Sequence, residues 1–228
     1  MQHKRLSVCI GILALVITTV VIMSTISPTS ALSLPGLDLD GIDPNSYSTM
    51  FIDLTNDGIE ELVVCVQRWD EQRNTMHIYK ESGSEWQSIY ENEWYRPINL
   101  CRLSAVKLPF DNPAGTVLIV TQPVSAGAGW HPTYSEVIWW NGKEMRTIWS
   151  GQTELIDATQ DDQMATIDNS ILRFYIGNKK LPMLEMLTVT RQLEDGNDAG
   201  WEGVPVKVLS TTVLTYVWNE KEKMFVDM

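Results

Sequence analysis

Short apolar runs separated by polar turns dominate the chain after residue 48. Residues 61–67 are rich in β-branched side chains, residues 75–80 alternate, and residues 116–122 form another apolar run. Runs of this length and composition, bounded by Gly, Asn, Asp and Ser, are typical of β-strands. The pattern therefore predicts an all-β domain over residues 49–228, built from antiparallel hairpins.

Several of these runs are paired around short polar turns. The predicted hairpins span 134–149, 171–183 and 208–227, with turns at Asn141-Gly142, Gly177-Asn178 and Asn219-Glu220-Lys221. Asn-Gly is the strongest short-range hairpin signal. The segments 77–90, 138–149 and 216–226 share one plan, a strand, a polar turn and a second strand. They are read either as eroded propeller-type repeats or as three ordinary hairpins.

The N-terminus has the layout of a targeting segment. His3, Lys4 and Arg5 precede an apolar run over 6–23, and small polar residues follow it. This order predicts a secretory signal peptide over residues 1–31. The alternative is an uncleaved helical membrane anchor, because the run is long enough to span a bilayer. Residues 32–48, rich in Pro, Gly, Asp and Ser, are predicted to be a linker.

Charge and cysteine content narrow the class of protein. Without Lys4 and Arg5, 15 of the 17 basic residues remain against 29 acidic ones. Such an acidic body disfavours nucleic acid as a partner and favours cations or basic partners. Cys65 and Cys101 are the two cysteines outside the targeting segment. They predict either a disulfide in an oxidising compartment or two buried thiols.

Residues 51–64 carry the strongest candidate chemistry. Side-chain oxygens recur at Asp53, Thr55, Asp57 and Glu61, and Gly58 occupies the sharpest turn. Alternating oxygens in a short loop suit calcium, which takes six to eight oxygen ligands. An EF-hand is disfavoured because its twelfth position is Val64 here, and a strand rather than a helix follows. The alternative is an acidic turn that holds no metal.

The strand–loop–strand pattern resembles the FG-GAP and VCBS repeats of integrin-α-like β-propellers. The match covers Asp53, Thr55, Asp57, Gly58 and Glu61, and it extends over residues 51–64. The resemblance implies a partial or divergent β-propeller with one structural Ca2+ site. It also implies that the backbone carbonyl of Ile59 joins the four side chains as a ligand. Thr55 replaces the more usual Asn or Asp, which weakens the predicted site.

A second candidate site follows segment 125–129, which consists of Ser, Ala and Gly and is predicted to be a loop. Trp130 and His131 are predicted contacts for a ligand, although His131 and the nine tryptophans also suit a packed interior. Trp139 and Trp140 are adjacent on one predicted strand, so they should face opposite sides of the sheet. No phosphate loop, nucleophile elbow or zinc-type histidine spacing is present in the sequence.

Together these features predict an exported, secreted, periplasmic or cell-surface protein, and they favour a non-catalytic protein over an enzyme without deciding between the two. Its expected role is a binding or adhesion-type module with a structural calcium loop and a protein or glycan partner. Two alternatives stay open. One is a secreted hydrolase acting on polysaccharide, and the other is an accessory or assembly protein anchored through residues 6–23.

Overall fold

The computed structural model describes residues 34–37, 39, 42–95, 99–111, 113–124, 130–157, 165–194 and 204–228. The predicted signal or anchor segment 1–31 lies outside these residues. Within the described part of the chain, none of the helices is long and apolar enough to span a membrane.

The described residues are all-β, which confirms the predicted class. Two single turns of 3-10 helix, Pro44–Ser46 and Asn178–Lys180, accompany twelve strands. The strands are β1 (Tyr47–Ile52), β2 (Glu61–Arg68), β3 (Arg73–Ser82), β4 (Glu85–Tyr95), β5 (Arg102–Lys107), β6 (Thr116–Pro123), β7 (Trp130–Trp140), β8 (Met145–Asp157), β9 (Thr166–Ile176), β10 (Pro182–Glu194), β11 (Val204–Asn219) and β12 (Met224–Asp227). Each predicted hairpin is present, around turns at residues 141–144, 177–181 and 220–223.

The strands form two antiparallel sheets, each with its strands in chain order. β1 to β4 make a small sheet, and β5 to β12 make a sheet of eight strands. A four-stranded meander is the form of a single propeller blade. The other eight strands are one continuous, unclosed sheet, so the described residues do not confirm a propeller.

An apolar layer joins the small sheet to the first strands of the large one. Cys65 and Ile78 from the small sheet pack with Leu118 and Ile138 from the large sheet, and all four are buried. A polar contact supports this layer, since Trp94 on β4 donates its indole N–H to Glu136 on β7 at 2.7 Å. This packing fixes the first sheet and its loops against β5 to β8.

The large sheet has a second core on its other side, rich in aromatic rings. Trp139 and Trp218 pack edge to face at 5.7 Å, and Phe225 meets Trp218 at 5.4 Å. Trp140 packs instead against the layer between the sheets. The two adjacent tryptophans therefore belong to different cores, because successive side chains of a strand point to opposite faces of the sheet.

The far side of the small sheet is covered by residues from the segment predicted to be a linker. Leu34 and Leu37 are buried against Leu62, Val64 and Tyr79. The Tyr79 hydroxyl donates to the carbonyl of Pro35 at 3.1 Å. Because both faces of the small sheet are covered, β2 is buried along nearly its whole length.

A disulfide joins Cys65 on β2 to Cys101, the residue immediately before β5. Their Cα atoms are 6.4 Å apart, a normal separation for such a bond. The bridge ties the small sheet to the start of the large sheet. Of the two alternatives that the sequence left open, the structure has the disulfide.

Candidate functional site

The predicted cation loop connects β1 to β2, two neighbouring strands of the small sheet. Its ends are brought together by the pairing of Ile52 with Glu61. Asn56 and Gly58 adopt positive φ values of 59° and 87°, a region that glycine and asparagine tolerate best. Leu54, buried in the layer between the sheets, anchors the loop from within.

Glu61 closes the loop from inside. Its side chain is fully buried, and its Oε2 accepts the backbone N–H groups of Leu54 at 2.7 Å and Thr55 at 3.0 Å. Its Oε1 accepts the Thr55 hydroxyl at 2.8 Å. A buried carboxylate is stable only when its oxygens are satisfied in this way. Glu61 therefore holds the first half of the loop against β2.

Lys80 on β3 brings an ammonium group into the loop. Its Nζ lies 2.5 Å from Asp57 Oδ2, 2.9 Å from Thr55 Oγ1 and 3.8 Å from Glu61 Oε1. Leu62 on β2 pairs with Tyr79 on β3. Because the two strands are antiparallel, the next residues in this register are Glu61 and Lys80, which are therefore neighbours on adjacent strands. The strand register thus places a cation against three of the predicted ligand residues.

The Asp53 side chain forms hydrogen bonds with the backbone of the loop. Its carboxylate accepts the N–H of Asp57 at 3.2 Å and the N–H of Gly58 at 2.9 Å. The other Asp57 oxygen, Oδ1, accepts the N–H of Ile59 at 3.0 Å. These bonds are those of an acidic turn whose side chains replace missing backbone partners.

The oxygens that converge here fit one ammonium group. Three side-chain oxygens surround Lys80 Nζ, whereas calcium takes six to eight at 2.3–2.6 Å. Among the described residues, no group of three or more His, Cys, Asp and Glu side chains is poised to hold a metal ion. The arrangement does not fit a calcium ion while Lys80 is in place. Calcium binding by Asp53, Thr55, Asp57, Ile59 and Glu61 stays a prediction.

The contact between Lys80 and Asp57 shifts the pKa of both groups. The hydrogen bond from Lys80, followed by the N–H of Ile59, holds the pKa of Asp57 below its ordinary value of 3.8. The same hydrogen bond raises the pKa of Lys80 above 10.5. A lowered acid pKa contributes stability above 3.8, and a raised lysine pKa contributes it below 10.5. Both groups are charged between these limits.

A second candidate site is a groove on the large sheet. Two pockets of about 360 Å³ each share Arg102 on β5 and Glu154 on β8, so they adjoin. This volume lies at the lower end of the range for small-molecule sites. Apart from the shared pair, the first pocket is lined by Leu103, Ser104, Ile119, Thr121, Ser135, Thr153, Asn169, Ser170 and Leu172, and the second by Asn99, Leu100, Pro123, His131, Thr133 and Ile156.

Hydroxyl and amide groups form a connected network in this groove. The Ser135 hydroxyl lies 3.0 Å from that of Thr121 and 2.7 Å from that of Thr153. Glu154 accepts the amide of Asn169 at 3.1 Å and the hydroxyl of Thr133 at 3.4 Å. Hydroxyl groups both donate and accept, so such a network can also bond to a polar ligand.

The predicted contacts Trp130 and His131 are the first residues of β7. His131 is buried and lines the second pocket, whereas Trp130 is half-buried and is not among the lining residues of either pocket. Segment 125–129 lies outside the described residues.

Sequence reasoning missed Lys80, Arg102 and Glu154. The sequence pattern that could have identified Lys80 is the alternation along β3. Lys80 lies on the same side of this strand as Met76 and Ile78, which face the layer between the sheets.

Buried histidines make the stability of the protein sensitive to acid. Burial lowers the pKa of His77 and of His131 below 6.5; nearby Glu91 opposes this at His77 and Arg68 adds to it. The folded state then binds fewer protons than the unfolded chain, so stability is complete above pH 6.5 and falls as the pH drops through the folded pKa values.

We expect urea unfolding to give a lower free energy at pH 5.5 than at pH 7.5, with a smaller loss in His77→Gln. Equal losses in the variant and the wild type would contradict the role of His77.

No protein-family model, curated protein or solved structure matches this chain. The function is therefore argued from the two sites described above.

Proposed function

We propose that the protein is an exported, non-catalytic binding module that holds a short acidic saccharide in the groove between Arg102 and Glu154. We further propose that β1 to β4 form a single unit of the FG-GAP/VCBS type, with a structural cation loop between the first two strands. The observation that carries the proposal is the polar groove, where a cationic side chain stands beside a network of hydroxyl and amide groups.

The polar lining suits a ligand that is itself rich in hydroxyl groups. Ser135 and Thr153 are buried and hydrogen-bonded to each other, and Thr133 and Asn169 donate hydrogen bonds to Glu154. Leu103, Ile119 and Leu172 add apolar surface, which can cover the carbon face of a sugar ring. A few placed polar groups in a partly apolar pocket are typical of small-molecule sites.

Arg102 gives the groove its preference for an acidic group. Among the described residues, no ion pair joins Arg102 to a carboxylate, and Arg102 is exposed where the two pockets meet. A guanidinium binds a carboxylate through two parallel hydrogen bonds. The acidic surface of the protein repels long polyanions, which favours a short ligand.

The disulfide supports both the place of Arg102 and the export of the chain. Cys101 directly precedes Arg102, so its bond to Cys65 fixes the backbone at this edge of the groove. Disulfides form and persist in oxidising compartments outside the cytosol. The layout of residues 1–31 leads to the same proposal, with secretion, the periplasm or the cell surface as the destination.

A polysaccharide hydrolase is the alternative function. Such an enzyme uses two carboxyl groups about 5–10 Å apart. Glu154 is the one carboxylate among the described residues that line the two pockets. A binding role needs no second carboxylate, and this favours it over hydrolysis.

We expect the full chain to bind acidic oligosaccharides in a panel that also contains neutral ones of equal length. Arg102→Gln should weaken this binding about 10- to 150-fold, because a hydrogen bond to a charged group contributes about 1.5–3 kcal/mol. Isothermal titration calorimetry measures the change.

Arg146→Gln is the matched control. Arg146 is exposed, lies near the start of β8 away from both pockets and pairs with Glu144 at 3.4 Å, so its replacement should leave affinity unchanged. Binding of no oligosaccharide in the panel, or equal loss in both variants, would overturn the saccharide proposal. Release of new reducing ends during incubation would replace it with the hydrolase alternative.

A further inference from the structure

We propose that the ammonium group of Lys80 is the built-in cation of the loop 53–61, and that the loop is closed without a divalent metal. This inference concerns the small sheet and does not depend on the ligand of the groove. It accounts for the disagreement between the calcium-type sequence of the loop and the contacts that its side chains make.

The inward oxygens of the loop converge on a single point, and Lys80 Nζ occupies it. Asp57 Oδ2 at 2.5 Å and Thr55 Oγ1 at 2.9 Å contact the nitrogen directly. Glu61 Oε1 lies next to them at 3.8 Å and is bridged to the centre by the Thr55 hydroxyl. An ammonium group has three donors; Asp57 and Thr55 accept two of them, and Glu61 Oε1 adds an ion pair at 3.8 Å.

The remaining carboxylate oxygens are committed to the backbone of the loop. Both Asp53 oxygens accept N–H groups, as do Asp57 Oδ1 and Glu61 Oε2. Calcium takes six to eight oxygens, whereas the loop directs three side-chain oxygens to the point that Lys80 Nζ occupies. A single positive charge needs only the oxygens that already point to it.

Lys80 is held in this position by the sheet. It follows Met76 and Ile78 on the same side of β3, and both of these residues are buried in the layer between the sheets. Its side chain is 29% exposed, so the aliphatic stem is mostly covered while the charge reaches the loop. A calcium ion and this ammonium group would compete for the same oxygens.

Thermal unfolding of the full chain in EDTA, in millimolar calcium and in millimolar magnesium tests the proposal. We expect the wild type to have the same Tm in all three solutions. In EDTA, Lys80→Met, which keeps the stem and removes the charge, should lower the Tm by about 3–6 °C. Lys80→Arg should retain most of the wild-type Tm, because it retains the charge.

Lys143→Met is the matched control, because Lys143 is an exposed lysine in the β7–β8 turn. Its Tm should stay within about 1 °C of the wild type. A calcium-specific rise in the wild-type Tm would overturn the proposal and restore the metal site. Equal Tm values for Lys80→Met and Lys143→Met would also overturn it. Stabilisation by calcium in Lys80→Met alone would support it, since the ion would then fill the place of the ammonium group.

Discussion

Replacement of Glu61 by alanine is expected to lower the free energy of unfolding by about 3–5 kcal/mol. The Glu61 carboxylate is fully buried and accepts the N–H groups of Leu54 and Thr55. Its removal leaves these two donors without their acceptor where the loop enters the layer between the sheets. It also withdraws one of the three oxygens near Lys80, so the loop loses backbone and side-chain support together.

Glu60→Ala separates this effect from a general loss of negative charge. Glu60 is the preceding residue, and its side chain is exposed, so its replacement should change stability by less than about 0.5 kcal/mol. Chemical unfolding of both variants gives the comparison. If Glu61→Ala does not fold, Glu61→Gln serves in its place, with an intermediate loss because the amide keeps one acceptor oxygen. A loss below 1 kcal/mol for either Glu61 variant would contradict the buried role.

The fold class was predictable because the strand signal is local. The alternation and turn residues at Asn141-Gly142 and at Asn219 fix two hairpins within a few residues. The sheet organisation depends on contacts distant in the sequence, such as Trp94 with Glu136. Periodicity within a strand does not encode which strand lies across from it, and this is why blades could not be distinguished from a continuous sheet.

Prediction of the candidate sites has the same limit, because contacts between residues distant in the sequence are not visible in a local pattern. Asp53, Asp57 and Glu61 were identified from their spacing, and the structure places them in one loop. Their partner Lys80 comes from another strand, so only the register of β2 and β3 reveals it. The groove was harder still to predict, since Arg102 and Glu154 are 52 positions apart in the numbering and neither stands in a recognisable motif.

Loss of the Cys65–Cys101 disulfide is expected to lower the free energy of unfolding by about 3–4 kcal/mol. The cysteines are separated by 36 positions, and closing a loop of this length reduces the entropy of the unfolded chain by an amount equivalent to that energy. The double variant Cys65→Ala/Cys101→Ala and the reduced wild type should show similar losses in urea unfolding. Reductant should leave the double variant unchanged, which serves as the control.

A loss of this size would make the stability of the fold depend on whether the compartment in which the protein works is oxidising. A domain is typically stable by about 5–15 kcal/mol, so a chain without the disulfide would lose a substantial share of that reserve. Both cysteines are buried between the sheets, and the bridge ends beside Arg102 at the edge of the groove. Reduction is therefore expected to loosen the groove as well as to weaken the fold. Saccharide binding that persists at full affinity in the reduced protein would show that the groove is held without the bridge, and the disulfide would then no longer support the placement of Arg102.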